Sequence, residues 1–69
     1  MELIRFKNLL WQVLKKPESP VGKRLHAMAK DIARGKMKIE DLDMAGMPSE
    51  ECGQIYKNAM RWLAGEYKK

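Results

Sequence analysis

The sequence predicts an all-α protein, a small bundle of three to four helices, on three observations. Apolar residues recur at helical spacing in separate stretches of the chain. No run of alternating β-branched residues stands between turn signals, so no strand is expected. Proline, glycine and serine gather where the periodic stretches end, at residues 17–20, at Gly35 and at residues 46–49.

The first helix is expected over residues 2–16, closed by Pro17, which disfavours helical backbone at the residue before it. Leu3, Phe6, Leu10 and Val13 form its core stripe, with Leu9 and Leu14 beside them. Ile4 and Trp11 project together off the edge of that stripe, so the apolar arc is wide, with Arg5, Asn8, Gln12 and Lys15 opposite the arc. An apolar arc this wide must be covered on more than one side or meet a partner.

Ser19 reads as the N-cap of the second helix, with Pro20 at the first helical position, where its missing donor costs nothing. That helix runs to about Arg34, and Gly35 supplies the left-handed cap. Val21, Leu25, Met28 and Ile32 make its stripe, with Ala29 allowing close approach. Lys23, Lys30 and Arg34 share the opposite face and, with Lys15, Lys16, Lys36 and Lys38, form the candidate basic patch.

A third helix of about two turns is expected over residues 38–45, turning Ile39, Leu42 and Ala45 inward and Glu40, Asp41 and Asp43 outward. Ser49 caps the fourth, whose first-turn Glu50 and Glu51 suit the positive end of the helix dipole. Its apolar side carries Cys52, Ile55, Tyr56, Ala59, Met60 and Leu63, with Trp62 at the edge, and its polar side Gln54, Lys57, Asn58 and Arg61. Gly65 is expected to fray the helix and leave residues 66–69 as a tail. The whole chain, 1–69, reads as one domain.

A domain of 69 residues buries only about 60% of the surface its unfolded chain exposes. Its core alone supplies roughly 3–5 kcal/mol, so a supplement is expected. One cysteine excludes an internal disulfide, and Cys52 with the single histidine, His26, falls short of the about four ligands of a structural zinc site. No metal or cofactor is therefore expected. Association with a second copy, as a dimer, or with a partner protein is the remaining supplement.

Apolar residues at 45% and charged residues at 33% describe a globular chain. No apolar run approaches the roughly 20 residues that span a bilayer, and the opening MELIRFKNLLWQVLKK lacks the features of a signal peptide. A cytoplasmic location without membrane contact is expected, in keeping with one unpaired thiol. The net charge of +5 is segregated. Residues 1–38 hold ten bases against three acids, residues 39–56 five acids and no base, and residues 57–69 four bases against one acid. Such a balance favours nucleic acid or an acidic protein surface as partner.

Nothing in the chain composes a catalytic set, and no enzyme is expected. Ser19 and Ser49 are explained as caps. His26 lies off its apolar stripe with no Cys or Asp to form a nucleophile pair, and reads as a surface histidine. Cys52 reads as a core thiol, and Glu40, Asp41 and Asp43 as a solvated face. Gly46 and Gly53 fit no phosphate-loop spacing. Met28 and Met60 lie on core stripes, and Met44 and Met47 flank a turn where they can plug the bundle.

The stretch KIEDLDMAGMPSEECGQIYKNAMRWL combines apolar Ile39 and Leu42, a turn with Gly46 and Met47, the Ser49 cap and a longer helix. It resembles a helix-turn-helix, and among named families the DNA-binding C-terminal region of bacterial sigma factors. The acidic pair Glu40 and Asp41 and the Ala59–Leu63 spacing carry the likeness, while Pro48 adds a residue to the turn. The resemblance covers under half the chain. It implies a recognition helix in the major groove, with Gln54, Asn58 and Arg61 toward base edges and Lys57, Lys36 and Lys38 near phosphates.

Two functions follow as expectations. The first is a small basic nucleic-acid-associated regulator, binding through Lys23, Lys30, Arg34, Lys36 and Lys38 and the polar face of the last helix. The second is a protein-binding module or inhibitor, of the size common among phage and mobile-element products, docking on an acidic partner surface through Ile4, Trp11 and the basic face, with Trp62 as a further interface residue.

Overall fold

The computed structural model describes residues 2–44 and 46–69. Three α-helices and one 3-10 turn follow one another: α1, Leu3–Leu14; α2, Pro20–Ala33; the 3-10 turn, Ile39–Asp41; and α3, Glu50–Lys68. The described residues contain no strand. The architecture is an all-α helical bundle in which α2 packs most extensively on α3, and α1 lies on both.

The helix boundaries follow from local chemistry. Ser19 Oγ accepts from the Gly22 amide at 3.1 Å, which satisfies one of the donors a helix start leaves open. Ser49 Oγ does the same for the Cys52 amide at 3.2 Å. Gly35 has φ +78°, a left-handed conformation that a side chain would strain, and it turns the chain out of α2.

The core is built from Leu14 of α1, Leu25 and Ala29 of α2, Leu42, and Tyr56, Ala59, Met60, Leu63 and Ala64 of α3. Met60 and Cys52 are fully buried. Ala29, Ala59 and Ala64 are buried where α2 and α3 meet the rest of the core, small side chains in a tightly covered position.

Four features differ from the sequence expectation. The helix expected over residues 38–45 is a single 3-10 turn. Asp41 Oδ2 accepts from the Lys38 amide at 3.2 Å while the Asp41 amide donates to the Lys38 carbonyl at 2.9 Å, a reciprocal closure that completes one turn. Leu42 then adopts extended backbone, ψ 133°, and is buried in the core. Ala45, expected to face inward, lies outside the described residues. The segment resembling a helix-turn-helix therefore lacks its first helix.

The second difference lies at the C-terminus, where α3 continues through Gly65 to Lys68. The anchor is Tyr67, whose ring meets His26 edge-on at 5.7 Å and carries the Lys30 ammonium 5.3 Å from its centroid. The third is His26 itself, which is half-buried and bonded on both ring nitrogens. Its Nε2 is 2.8 Å from the Leu14 carbonyl oxygen, which can only accept, so this nitrogen carries the hydrogen. Nδ1 is hydrogen-bonded to the Tyr67 hydroxyl at 2.5 Å. One imidazole thus joins the end of α1, the middle of α2 and the end of α3.

The fourth difference concerns α1. Of its expected core residues only Leu14 is buried, and Phe6, Leu10 and Val13 are half-covered. Leu3 and Leu9 are exposed, and so is Val21 at the start of α2. With no helix over residues 38–45, the bundle has too few elements to cover an arc this wide.

Candidate interaction surfaces

Three surfaces gather the residues singled out by sequence. The first lies between α1 and α3. Trp11 and Trp62, both at the edges of their stripes, meet edge-to-face with ring centroids 5.0 Å apart. Beside them opens a groove of about 370 Å³ with Ile55 and Ala59 on its floor and Lys7 and Asn58 at its rim. Trp62 remains 52% exposed. Ile4 stands two turns before Trp11 on the same edge of α1 and is 75% exposed, outside the groove proper.

The second surface is the polar face of α3. Asn58 Oδ1 accepts from Gln54 Nε2 at 3.1 Å and from Arg61 Nη1 at 3.3 Å, so three of the four polar residues are tied to one another. Lys57 turns instead toward a cleft of about 520 Å³, which it lines with Gln54, Glu50, Gly53 and the two methionines Met44 and Met47. The Gln54–Asn58–Arg61 ladder is thus a ridge between two hollows.

The third surface is basic. Lys23 and Lys30 are exposed on α2, Arg34 is exposed at its C-cap, and Lys36 and Lys38 follow in the connection. None of the five forms an ion pair with a described residue, and the described ion pair, Lys69 with Glu66 at 2.8 Å, lies at the other end of the chain. Lys30 is held by the Tyr67 ring, and the other cations extend into solvent.

Lys7 and the Met44–Met47 cleft were not anticipated from the sequence, and Ile55, expected in the core, is half-buried and lines the groove. Lys7 had a readable signal, because it falls four residues before Trp11, inside the apolar arc of α1 rather than opposite it. The cleft had none, since it depends on the path of the chain after Leu42.

Tyr56 of α3 is buried in the core. Its pKa is raised, first by burial and then by Asp43, with Arg24 pulling the other way. No helix among the described residues is long and apolar enough to cross a membrane. No protein-family model matches this sequence, and neither the curated proteins nor the solved structures give a match.

Proposed function

We propose that this chain is a protein-binding module that docks on an acidic partner surface through α1 and the groove beside it. The observation that carries the reading is the uncovered apolar arc of α1. Ile4, on the same edge of α1 as Trp11, faces solvent, and Trp62, half exposed, stands against the Trp11 ring, so these side chains form one apolar face, while exposed Leu3 and Leu9 point to other sides of the helix. Fully burying one such apolar side chain is worth about 1.5–3 kcal/mol, so a partner covering this face gains several kcal/mol from these residues. Trp11 and Trp62 suit such a role, because tryptophan is enriched where interfaces concentrate their energy.

The second reading, association with nucleic acid, is favoured by the basic face of α2. Lys23, Lys30 and Arg34 are free of acidic partners among the described residues and so available to phosphates. Base reading by the last helix has weaker support. An asparagine that reads adenine uses both ends of its amide, and the Asn58 oxygen is already occupied by Gln54 and Arg61. This reading is accordingly one of backbone binding without sequence choice.

Capture of partners from native lysate, with and without nuclease, separates the two. The protein-binding reading expects a partner that survives nuclease, is lost with Ile4→Glu or Trp62→Ala, and is kept when Lys23, Lys30 and Arg34 are changed to alanine together. The opposite pattern, with loss on nuclease treatment and in the triple variant alone, would replace it with the nucleic-acid reading.

A further inference from the structure

We propose that the α1/α3 groove receives an acidic amphipathic helix, one apolar side chain seated against Trp11 and Trp62 and one carboxylate held by Lys7 and Asn58. The inference rests on the docking reading above and adds the chemistry of the partner to it.

The floor sets the apolar half of the ligand. Trp11, Ile55, Ala59 and Trp62 offer an apolar hollow, and the edge-to-face contact between the two indoles holds both rings in place before anything binds. Little side-chain freedom is then left to lose on docking.

The rim sets the polar half. Lys7 is a cation without an ion pair among the described residues. Asn58 spends its carbonyl oxygen on Gln54 and Arg61, which leaves its amide N–H groups as the unspent part of the side chain. The groove therefore presents donors from two sides and no acidic residue in its lining. A carboxylate satisfies both donors with one group, and a neutral amide leaves the Lys7 charge unmatched.

The spacing favours a helix as the bearer. Lys7 and Trp11 are one turn apart on α1, and Ile55, Ala59 and Trp62 succeed one another over two turns of α3. The furrow between two such helices matches anchors at positions i, i+3 or i+4, and i+7 of a third. The acidic stretch of this chain does not offer such a helix, since Glu40 and Asp41 ride on a single 3-10 turn whose neighbour Leu42 is buried.

The test uses the two tryptophans of the chain as reporters. The full chain is titrated with two synthetic amphipathic helices about four turns long and free of aromatic residues, alike in their leucine face, one carrying glutamate and the other glutamine. The expected result is a saturable emission change with the glutamate peptide, at a Kd lower than that of the glutamine peptide by about fivefold, what one exposed charge pair provides. Lys7→Gln, with unchanged far-UV circular dichroism, should erase that difference without abolishing binding.

Equal Kd values for the two peptides would overturn the carboxylate assignment while leaving docking on α1 intact. Emission that changes on simple dilution of the protein would overturn it in favour of a second copy in the groove. No emission change with either peptide, while Ile4→Glu still loses its captured partner, would move the docking site off the groove. Full partner retention by both Ile4→Glu and Trp62→Ala would instead remove the underlying docking reading.

Discussion

Gly22 has no room for a side chain. A Cβ there would stand 2.0 Å from the Lys16 carbonyl oxygen and 2.8 Å from Ser19 Oγ. Both atoms are pinned, because the Lys16 carbonyl accepts from the Ser19 amide at 3.1 Å and from Ser19 Oγ at 2.8 Å. Gly22→Ala should therefore cost about 1–3 kcal/mol, the usual penalty for overpacking. Urea or thermal unfolding checks it, and a domain this small should lose about 4–8 °C of Tm per kcal/mol. Tyr56 makes the second prediction at this scale. Burial raises its pKa in the folded chain above the unfolded value of 10.0, so the folded state holds the phenol proton more tightly. The stability this contributes is complete below pH 10 and is lost as pH rises through the folded value. The quantity to measure is the difference in stability between wild type and Tyr56→Phe, which should widen in favour of the phenylalanine variant above about pH 10. The serine caps were legible in the sequence because capping is a local matter of one side chain and the next three amides. The role of Gly22 was not, because it depends on where Lys16 lies.

At the scale of elements, the ends of the helices were set partly by neighbours rather than by their own residues. Gly65 is a weak helix former, yet α3 runs past it because Tyr67 is held by His26 and Lys30. Tyr67→Phe removes the hydroxyl and leaves the ring, and should destabilise the fold by about 0.5–1.5 kcal/mol. Tyr67→Ala also removes the ring contacts, and should speed amide exchange in the last turn of α3 while leaving the turn that contains Met60 protected. Equal protection of the last turn in the alanine variant would show that the helix persists without this anchor. The 3-10 turn reverses the lesson. Its apolar spacing, Ile39 to Leu42, suits a helix, but burying Leu42 in the core was worth more than a second helical turn. Apolar spacing cannot report that competition, and a short element is where tertiary packing most easily overrides propensity.

For the whole molecule, the accessible surface is 5041 Å², against about 4450 Å² for a typical monomer of 8.0 kDa. The excess of about 600 Å² approaches the roughly 800 Å² that one partner contributes to a standard interface. Exposed large apolar side chains contribute to that surface on all three helices, Leu3, Ile4 and Leu9 on α1, Val21 on α2, and Trp62 and Tyr67 on α3. The width of the apolar arc on α1 was already visible in the sequence, as were Ile4, Trp11 and Trp62 as its edge residues. What the sequence lacked was the number of elements available to cover that arc, and hence which leucines would stay outside. Ile4→Glu should leave stability within about 0.5 kcal/mol, as a surface change does, while removing the docking surface. The most direct measurement places a photo-crosslinking amino acid at position 4 in one sample and at position 23 in another, and irradiates both in native lysate. A discrete protein adduct is expected from position 4 and none from position 23. Nucleic-acid adducts from position 23, with no protein adduct from position 4, would contradict docking through α1.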